Sequence, residues 1–156
     1  MAIHQTFLAI ISNKIIISIF FSMAIAQITK FFVNWAYYNK IDWERFFETG
    51  GMPSSHTSTV IALTLGIWFQ EGLGTILIIT FVFSMIVIRD ALGMRHEIGK
   101  QAKIINMIIK DLRYHKRLVH KDFVAKELKE LIGHTPLQVM VGGLIGIAVT
   151  IVVFAR

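Results

Sequence analysis

The sequence predicts an all-α integral membrane helical bundle, with about four transmembrane spans plus amphipathic surface helices, folded as a single domain over residues 1–156. Three observations carry that expectation. The chain is 54% hydrophobic and only 17% charged, with a mean hydropathy of +0.62, values that suit a bilayer better than water. Its apolar residues gather in long runs. One long polar insert interrupts the runs, and within it isoleucines recur at helical spacing.

A helix needs roughly 20 apolar residues to cross the hydrocarbon core. Residues 15–35 meet that length and carry one charge, Lys30, near the end of the run. Residues 57–69 and 73–88 are shorter and separated only by Gln70, Glu71 and Gly72. They read as a tight hairpin of two spans, each extended at its far end by polar motif residues. Residues 137–154 form the last span. Residues 1–12 are apolar but too short to cross, which predicts an interfacial or packed helix. No basic leader followed by a small-residue cleavage site is visible, so no cleaved signal peptide is expected.

The polar insert covers about residues 93–135. Ile104, Ile105, Ile108, Ile109 and Leu112 fall on one helical face there, with Lys103, Lys110 and Arg113 between them. That pattern predicts an amphipathic helix lying on the membrane surface or lidding the bundle. A second, charged helix is expected over residues 122–132.

The chain holds 16 Lys and Arg against 10 Asp and Glu, a formal charge of +6. In so apolar a chain this excess belongs to loops beside anionic lipid, and no nucleic-acid partner is expected. Lys40 and Arg45 follow the first span, and the insert holds most of the remaining basic residues. With four spans both segments share one side. The positive-inside rule makes that side cytoplasmic in a multi-pass cell-membrane protein. The absence of cysteine removes disulfides, thiol nucleophiles and cysteine metal sites from consideration.

Two histidine-bearing turns lie on the basic side. The first is Gly50-Gly51-Met52-Pro53-Ser54-Ser55-His56, where a serine suits the N-cap of the span that follows. The second is Gly133-His134-Thr135-Pro136-Leu137-Gln138. Here Thr at N-cap, Pro at N1 and Gln at N3 make a capping-box pattern. A helix start presents free N–H groups and a positive dipole end, which favours an anion. Two such starts, each with a histidine and both on one face, point to phosphate chemistry. Between them stands Arg89-Asp90-Ala91-Leu92-Gly93-Met94-Arg95-His96, at the end of the third span. A guanidinium matches phosphate oxygens bidentately, so Arg95 is the stronger clamp. Arg89 and Asp90 adjoin an apolar run, where an ion pair or a bundle-facing site offsets the cost of burying charge. Lys30 either snorkels to the interface or faces a phosphate. His4, His115 and His120 have no companion pattern, and no metal site is expected. Gly142 and Gly146 form a GxxxG, which predicts close helix packing inside the bundle or at a homodimer seam.

The three motifs GGMPSSH, RDALGMRHEIGKQAKIIN and LKELIGHTPLQV together resemble the divergent branch of the type 2 phosphatidic acid phosphatase superfamily, to which vanadium haloperoxidases are related. The resemblance extends over nearly the whole chain. The superfamily's second signature is commonly Pro-Ser-Gly-His; Ser55 stands here for its glycine. The resemblance implies that Ser54 and Ser55 bind phosphate oxygens and that His56 is the general acid. It implies that His134 is the nucleophile, forming a phosphohistidine, and that Gln138 occupies the place of a carboxylate that orients the ring. A glutamine carbonyl fixes a tautomer but brings no negative charge. Lys30 takes the place of the first signature's lysine, though no Arg-Pro follows it. Arg89 and Arg95 join the phosphate cluster, with Asp90 and Lys100 as supporting charges. His96 stands one position out of register with the superfamily's histidine and remains the other candidate nucleophile. The implied function is hydrolysis of a phosphate monoester or pyrophosphate, of a lipid, with no cofactor and with phosphate or vanadate as ligand or inhibitor. The competing class is a non-catalytic lipid-phosphate binder or carrier that keeps the anion site. A third is a structural membrane subunit whose motifs are only helix caps.

Overall fold

The computed structural model describes residues 9, 11–38, 51–114, 128 and 134–156. Among them every regular element is helical and no strand occurs. The first helix, α1, spans Lys14–Tyr38. It opens where Asn13 Oδ1 accepts the free N–H groups of Ile15 at 2.8 Å and Ile16 at 3.4 Å, the capping role expected of a short polar side chain. Helix α2, Ser55–Glu71, begins at its N-cap Ser54 and ends at Gly72, whose φ of +73° lies in the left-handed region that glycine enters without penalty. Helix α3, Thr75–Leu92, starts two residues later than the sequence pattern suggests, because Gly72 and Gly74 both hold non-helical backbone. Leu73 at the turn is 88% exposed. Helix α4, Met94–Tyr114, follows after Gly93 alone. The Gly93 N–H still reaches the Arg89 carbonyl at 2.8 Å, so α4 continues from α3 with almost no linker. Helix α5 is Pro136–Phe154. The helices expected over residues 1–12 and 122–132 fall largely outside the described residues.

Three stretches of the described residues are long and apolar enough to cross a membrane: Lys14–Ala36, Thr75–Asp111 and Pro136–Phe154. The expected fourth span, α2, falls just below that length. Its 17 residues rise about 26 Å at ~1.5 Å per residue, against a hydrocarbon core of ~30 Å. It also packs more extensively than any other described helix, lying against α1, α3 and α5.

The interior is built from small residues. Ala26, Ala62, Ala91, Ser18, Ser22, Ser58, Ser84 and Thr150 are buried, while Phe20, Ile78, Ile79, Ile86 and Leu144 point outward. That inversion of a soluble core is expected where lipid surrounds the bundle and close backbone approach holds helices together. Several of the buried hydroxyls find acceptors nearby, Ser22 Oγ being an exception. Ser84 donates to Thr80 O at 2.8 Å and meets Thr64 Oγ1 at 2.8 Å; Thr150 donates back to Gly146 O at 2.8 Å. The GxxxG is used within the chain. A Cβ at Gly142 would collide with the Ser54 carbonyl, and one at Gly146 would lie 2.6 Å from the Ser58 carbonyl oxygen. Of the two seats that the motif predicted, the packing inside the bundle is the one observed.

The same contacts set the helix directions. Gly142 meets Ser54 and Gly146 meets Ser58, so α2 and α5 run parallel. Ser58 bonds the Ser22 carbonyl while Gly66 meets Ile15, so α1 runs against α2. Ser84 reaches Val60 O, and only residues 72–74 join α2 to α3, so α3 also runs against α2. One end of the bundle therefore collects the starts of α2 and α5 and the ends of α1 and α3.

Candidate functional site

His134 lies at that end, 3% exposed, one residue before the cap of α5. Its backbone N–H donates to Ala91 O at 3.1 Å, fastening the turn to the last residues of α3. Its ring Nδ1 stands 3.3 Å from Gln138 Oε1. The same Oε1 accepts the Thr135 N–H at 2.9 Å, and Thr135 Oγ1 accepts the Gln138 N–H at 3.4 Å. The capping box is complete. A backbone N–H can only donate, so the amide oxygen is the atom turned toward His134. With Nδ1 donating to that oxygen, the lone pair sits on Nε2. One glutamine thus caps the helix and orients the imidazole.

Burial lowers the His134 pKa below the ordinary value of 6.5. The Gln138 hydrogen bond and a backbone hydrogen bond with Gly51 oppose that shift, while the charges of His56 and Lys30 reinforce it. The net result favours a neutral ring at neutral pH, the form that a nucleophile requires.

His56 sits in the first turn of α2 and is exposed. Its ring centroid is 6.2 Å from that of His134, with the planes inclined at 55°. The two turns, 78 positions apart by subtraction of their residue numbers, are drawn together by Ser54 N–H donating to Gln138 O at 3.1 Å. Lys30, on α1, is 3% exposed. Its stem passes Gly51, where an added Cβ would lie 3.0 Å from Lys30 Cε. Gly51 also has φ +99°. It is held as glycine by both its backbone and its neighbour. Lys30 is therefore packed against the Gly51 turn rather than extended to the interface.

Ser54 is fully buried, and its Oγ accepts both the Thr57 N–H at 3.3 Å and the Thr57 hydroxyl at 3.0 Å. Its hydroxyl is engaged in capping. Ser55 is half-buried in the first turn of α2. Arg89 is exposed and Asp90 half-buried in the last turn of α3, immediately before the Ala91 carbonyl that holds His134. Arg95 and His96 fall in the first turn of α4, and their side chains lie outside the described residues. Lys100 is exposed and paired with Glu97 at 2.7 Å on α4. The structure thus brings together His56, His134, Gln138, Lys30 and the Ser54–Ser55 turn. Gly51 and the Ala91 carbonyl join them without having been singled out by sequence. The Gly-Gly pair before the Pro-Ser-Ser-His turn was a visible signal for Gly51. A backbone carbonyl leaves no mark in a sequence.

The model of the divergent PAP2 family matches residues 11–149. The chain belongs to the divergent PAP2 family. A Bacillus subtilis (strain 168) protein described as "Uncharacterized membrane protein YuiD" is 37% identical over 92% of this chain and 95% of its own length. No solved structure matches the chain. Family membership agrees with the resemblance drawn from the three motifs, and the chain is a membrane protein with three candidate transmembrane helices. In this divergent PAP2 member, the residue four positions after the buried histidine is a neutral amide that serves both cap and ring.

Proposed function

We propose that this protein is a membrane phosphohydrolase that cleaves a phosphate monoester or pyrophosphate of a lipid, through a phosphohistidine on His134. One observation carries the reading: a buried histidine with a lowered pKa, its Nδ1 on Gln138, faces an exposed histidine 6.2 Å away between two helix starts. The Nε2 lone pair attacks phosphorus, the N–P bond forms, and the P–O bond to the leaving group breaks. His56, as imidazolium, gives its proton to the departing oxygen. Neutral His56 then takes a proton from water as the water oxygen attacks phosphorus. The N–P bond breaks, its electron pair returns to Nε2, and phosphate leaves. Lys30, Arg95, Arg89 and the N–H groups of the α2 start stabilise the charge gathering on the phosphoryl oxygens. Vanadate, able to take the five-coordinate geometry of the transition state, acts as an inhibitor in this scheme.

In the topology that goes with this reading, α2 completes a fourth crossing with the help of its polar cap residues. The basic segments 39–54 and 93–135 then share the site's face, which the positive-inside rule makes cytoplasmic. Cysteine scanning tests the orientation, because the native chain contains none. Labelling of Ser54→Cys by an impermeant reagent added outside intact cells would reverse it.

A second reading is favoured by Gln138: a lipid-phosphate binder that holds the anion without turnover, since an amide does not stabilise a charged imidazole as a carboxylate does. Purified protein and a panel of lipid phosphates separate the two. The hydrolase releases phosphate and forms an acid-labile phosphoenzyme, both absent in His134→Ala. Well-folded protein that binds phosphate analogues but hydrolyses none of the panel is the binder. Full activity in His134→Ala with loss in His96→Ala would move the nucleophile to His96.

A further inference from the structure

The isoleucine pattern of α4 allows two seats, on the membrane surface or over the bundle. Among the described residues α4 packs against no helix but α3, so it does not lie over α1, α2 or α5. The contact it makes with the returning chain uses other residues. Asn106 Nδ2 donates to Leu128 O at 2.9 Å, and Asn106 Oδ1 accepts the Leu128 N–H at 3.0 Å. Ala102 and Gly99, one and two turns before Asn106, share its face and are buried. The side of α4 that meets protein is therefore built from small and polar residues.

The isoleucines occupy a different face. Ile104 is 57% exposed and Ile108 54%, and Ile98 and Ile105 beside them are exposed as well. Lys103 and Lys110, two turns apart, share a third face that is also exposed. Protein thus covers one side of α4 and leaves an apolar side and a basic side open.

The join to α3 sets the depth at which those sides lie. Helix α3 has 18 residues and rises about 27 Å at ~1.5 Å per residue, nearly the thickness of the hydrocarbon core. The joined apolar stretch Thr75–Asp111 has 37 residues, which as one rod would rise about 55 Å, far more than one crossing needs. Non-helical backbone at Gly93, with φ −99° and ψ −93°, separates the two helices. Helix α4 therefore starts where a span ends, at headgroup level and at the same end of the bundle as His134. A helix with an apolar face and lysines on its polar side suits that level. Lysines held near a bilayer surface favour anionic headgroups.

We propose that α4 is an anionic-lipid-binding helix. It lies along the headgroup region beside the histidine site, with Ile98, Ile104, Ile105 and Ile108 among the acyl chains. Lys103 and Lys110 draw anionic headgroups around it. The inference does not depend on turnover at His134.

The test uses the full chain in vesicles of equal parts phosphatidylcholine and phosphatidylglycerol. The native chain has no cysteine, so single labels report each face of α4. Spin labels at Ile105→Cys and Ile108→Cys are expected to be accessible to oxygen and shielded from a water-soluble nickel chelate. Labels at Lys103→Cys and Lys110→Cys show the reverse. A fluorophore at Ile108→Cys then reads the lipid beside it, with bromine carried on one lipid or on the other. Brominated phosphatidylglycerol is expected to compete for the site about 3-fold or more better than brominated phosphatidylcholine, from the attraction of the two lysines. Lys103→Gln with Lys110→Gln removes that preference, and Lys103→Arg with Lys110→Arg keeps it. Labels at Ile105 and Ile108 that neither oxygen nor the chelate reaches would mean that a second copy or another protein surface covers this face, and would overturn the proposal. Labels there reached by the chelate would place the face in water, with the same consequence. Equal quenching by the two lipids in the otherwise native chain overturns the anionic preference.

Discussion

The two histidine turns start from the same local grammar and end in opposite environments. Ser54 caps α2, and His56 comes two residues after the cap, on the first turn, exposed. Thr135 caps α5, and His134 comes one residue before the cap, 3% exposed. A residue inside the first turn projects from the helix surface. A residue before the cap belongs to the connection that threads between helices, and here that connection is bonded to Ala91 of α3. Position relative to the cap thus separates an exposed histidine at the mouth from a buried one in the floor. The caps differ too. Ser54 works through its own hydroxyl, whereas Thr135 shares its work with Gln138, which also holds the ring. Orientation of the His134 imidazole is therefore coupled to the α5 start.

The widest separation between the two turns is catalytic. His134→Ala is expected to lower turnover by roughly 10³-fold or more, while phosphate-analogue binding persists on Lys30 and the helix starts. His56→Ala should cost about 10²–10⁴-fold on an alkyl phosphate. It should cost far less on p-nitrophenyl phosphate, whose leaving oxygen needs no proton. Steady-state rates on the two substrates check this; equal losses on both would deny His56 its acid role.

The next effect lies in packing between the turns. Gly142→Ala drives a methyl into the Ser54 carbonyl and should destabilise the protein by roughly 1–3 kcal/mol. Gly143→Ala, where space is open, should raise the melting temperature slightly. Thermal unfolding in detergent measures both. A Gly142→Ala protein as stable as the native one would mean that the two turns are not clamped together as described.

The pH dependence follows from His134. Its folded pKa lies below the unfolded value of 6.5, so the unfolded chain binds the proton more readily. Stability from this group is fully present above pH 6.5 and declines as pH falls through the folded value. Melting temperature against pH should show that decline, and His134→Asn should lack it. For turnover, the acid limb assigned to His134 should lie below pH 6.5. Gln138→Glu places a carboxylate beside the ring, raises its pKa and moves that limb upward. An unmoved limb in Gln138→Glu would separate Gln138 from the nucleophile. The smallest effect is expected from Thr135→Ala, about 1 kcal/mol of stability through loss of the cap, with a modest drop in turnover because Gln138 keeps its contact with His134.

Much of this arrangement is legible in the chain. The capping box of α5 is a local pattern, and the structure contains it as written. Ser54 at the N-cap of α2 is likewise local. The apolar runs give α1, α3 and α5 because a bilayer demands length and apolarity, and both are properties of sequence. α2 is the element for which that rule is insufficient. Its 17 residues are fewer than a simple span needs, and its place among α1, α3 and α5 comes from packing.

What the sequence alone determined is the set of local devices: helix starts, caps, the split motifs and the membrane character, each set by residues within a few positions of one another. Only the tertiary structure decided how those devices meet. It seats Gly142 and Gly146 on the α2 carbonyls, lays Lys30 against Gly51, and ties the backbone of His134 to Ala91. Those contacts join residues far apart in the chain, through carbonyl oxygens and empty space that no side-chain pattern records. They bury one histidine and leave the other exposed at the mouth of the site.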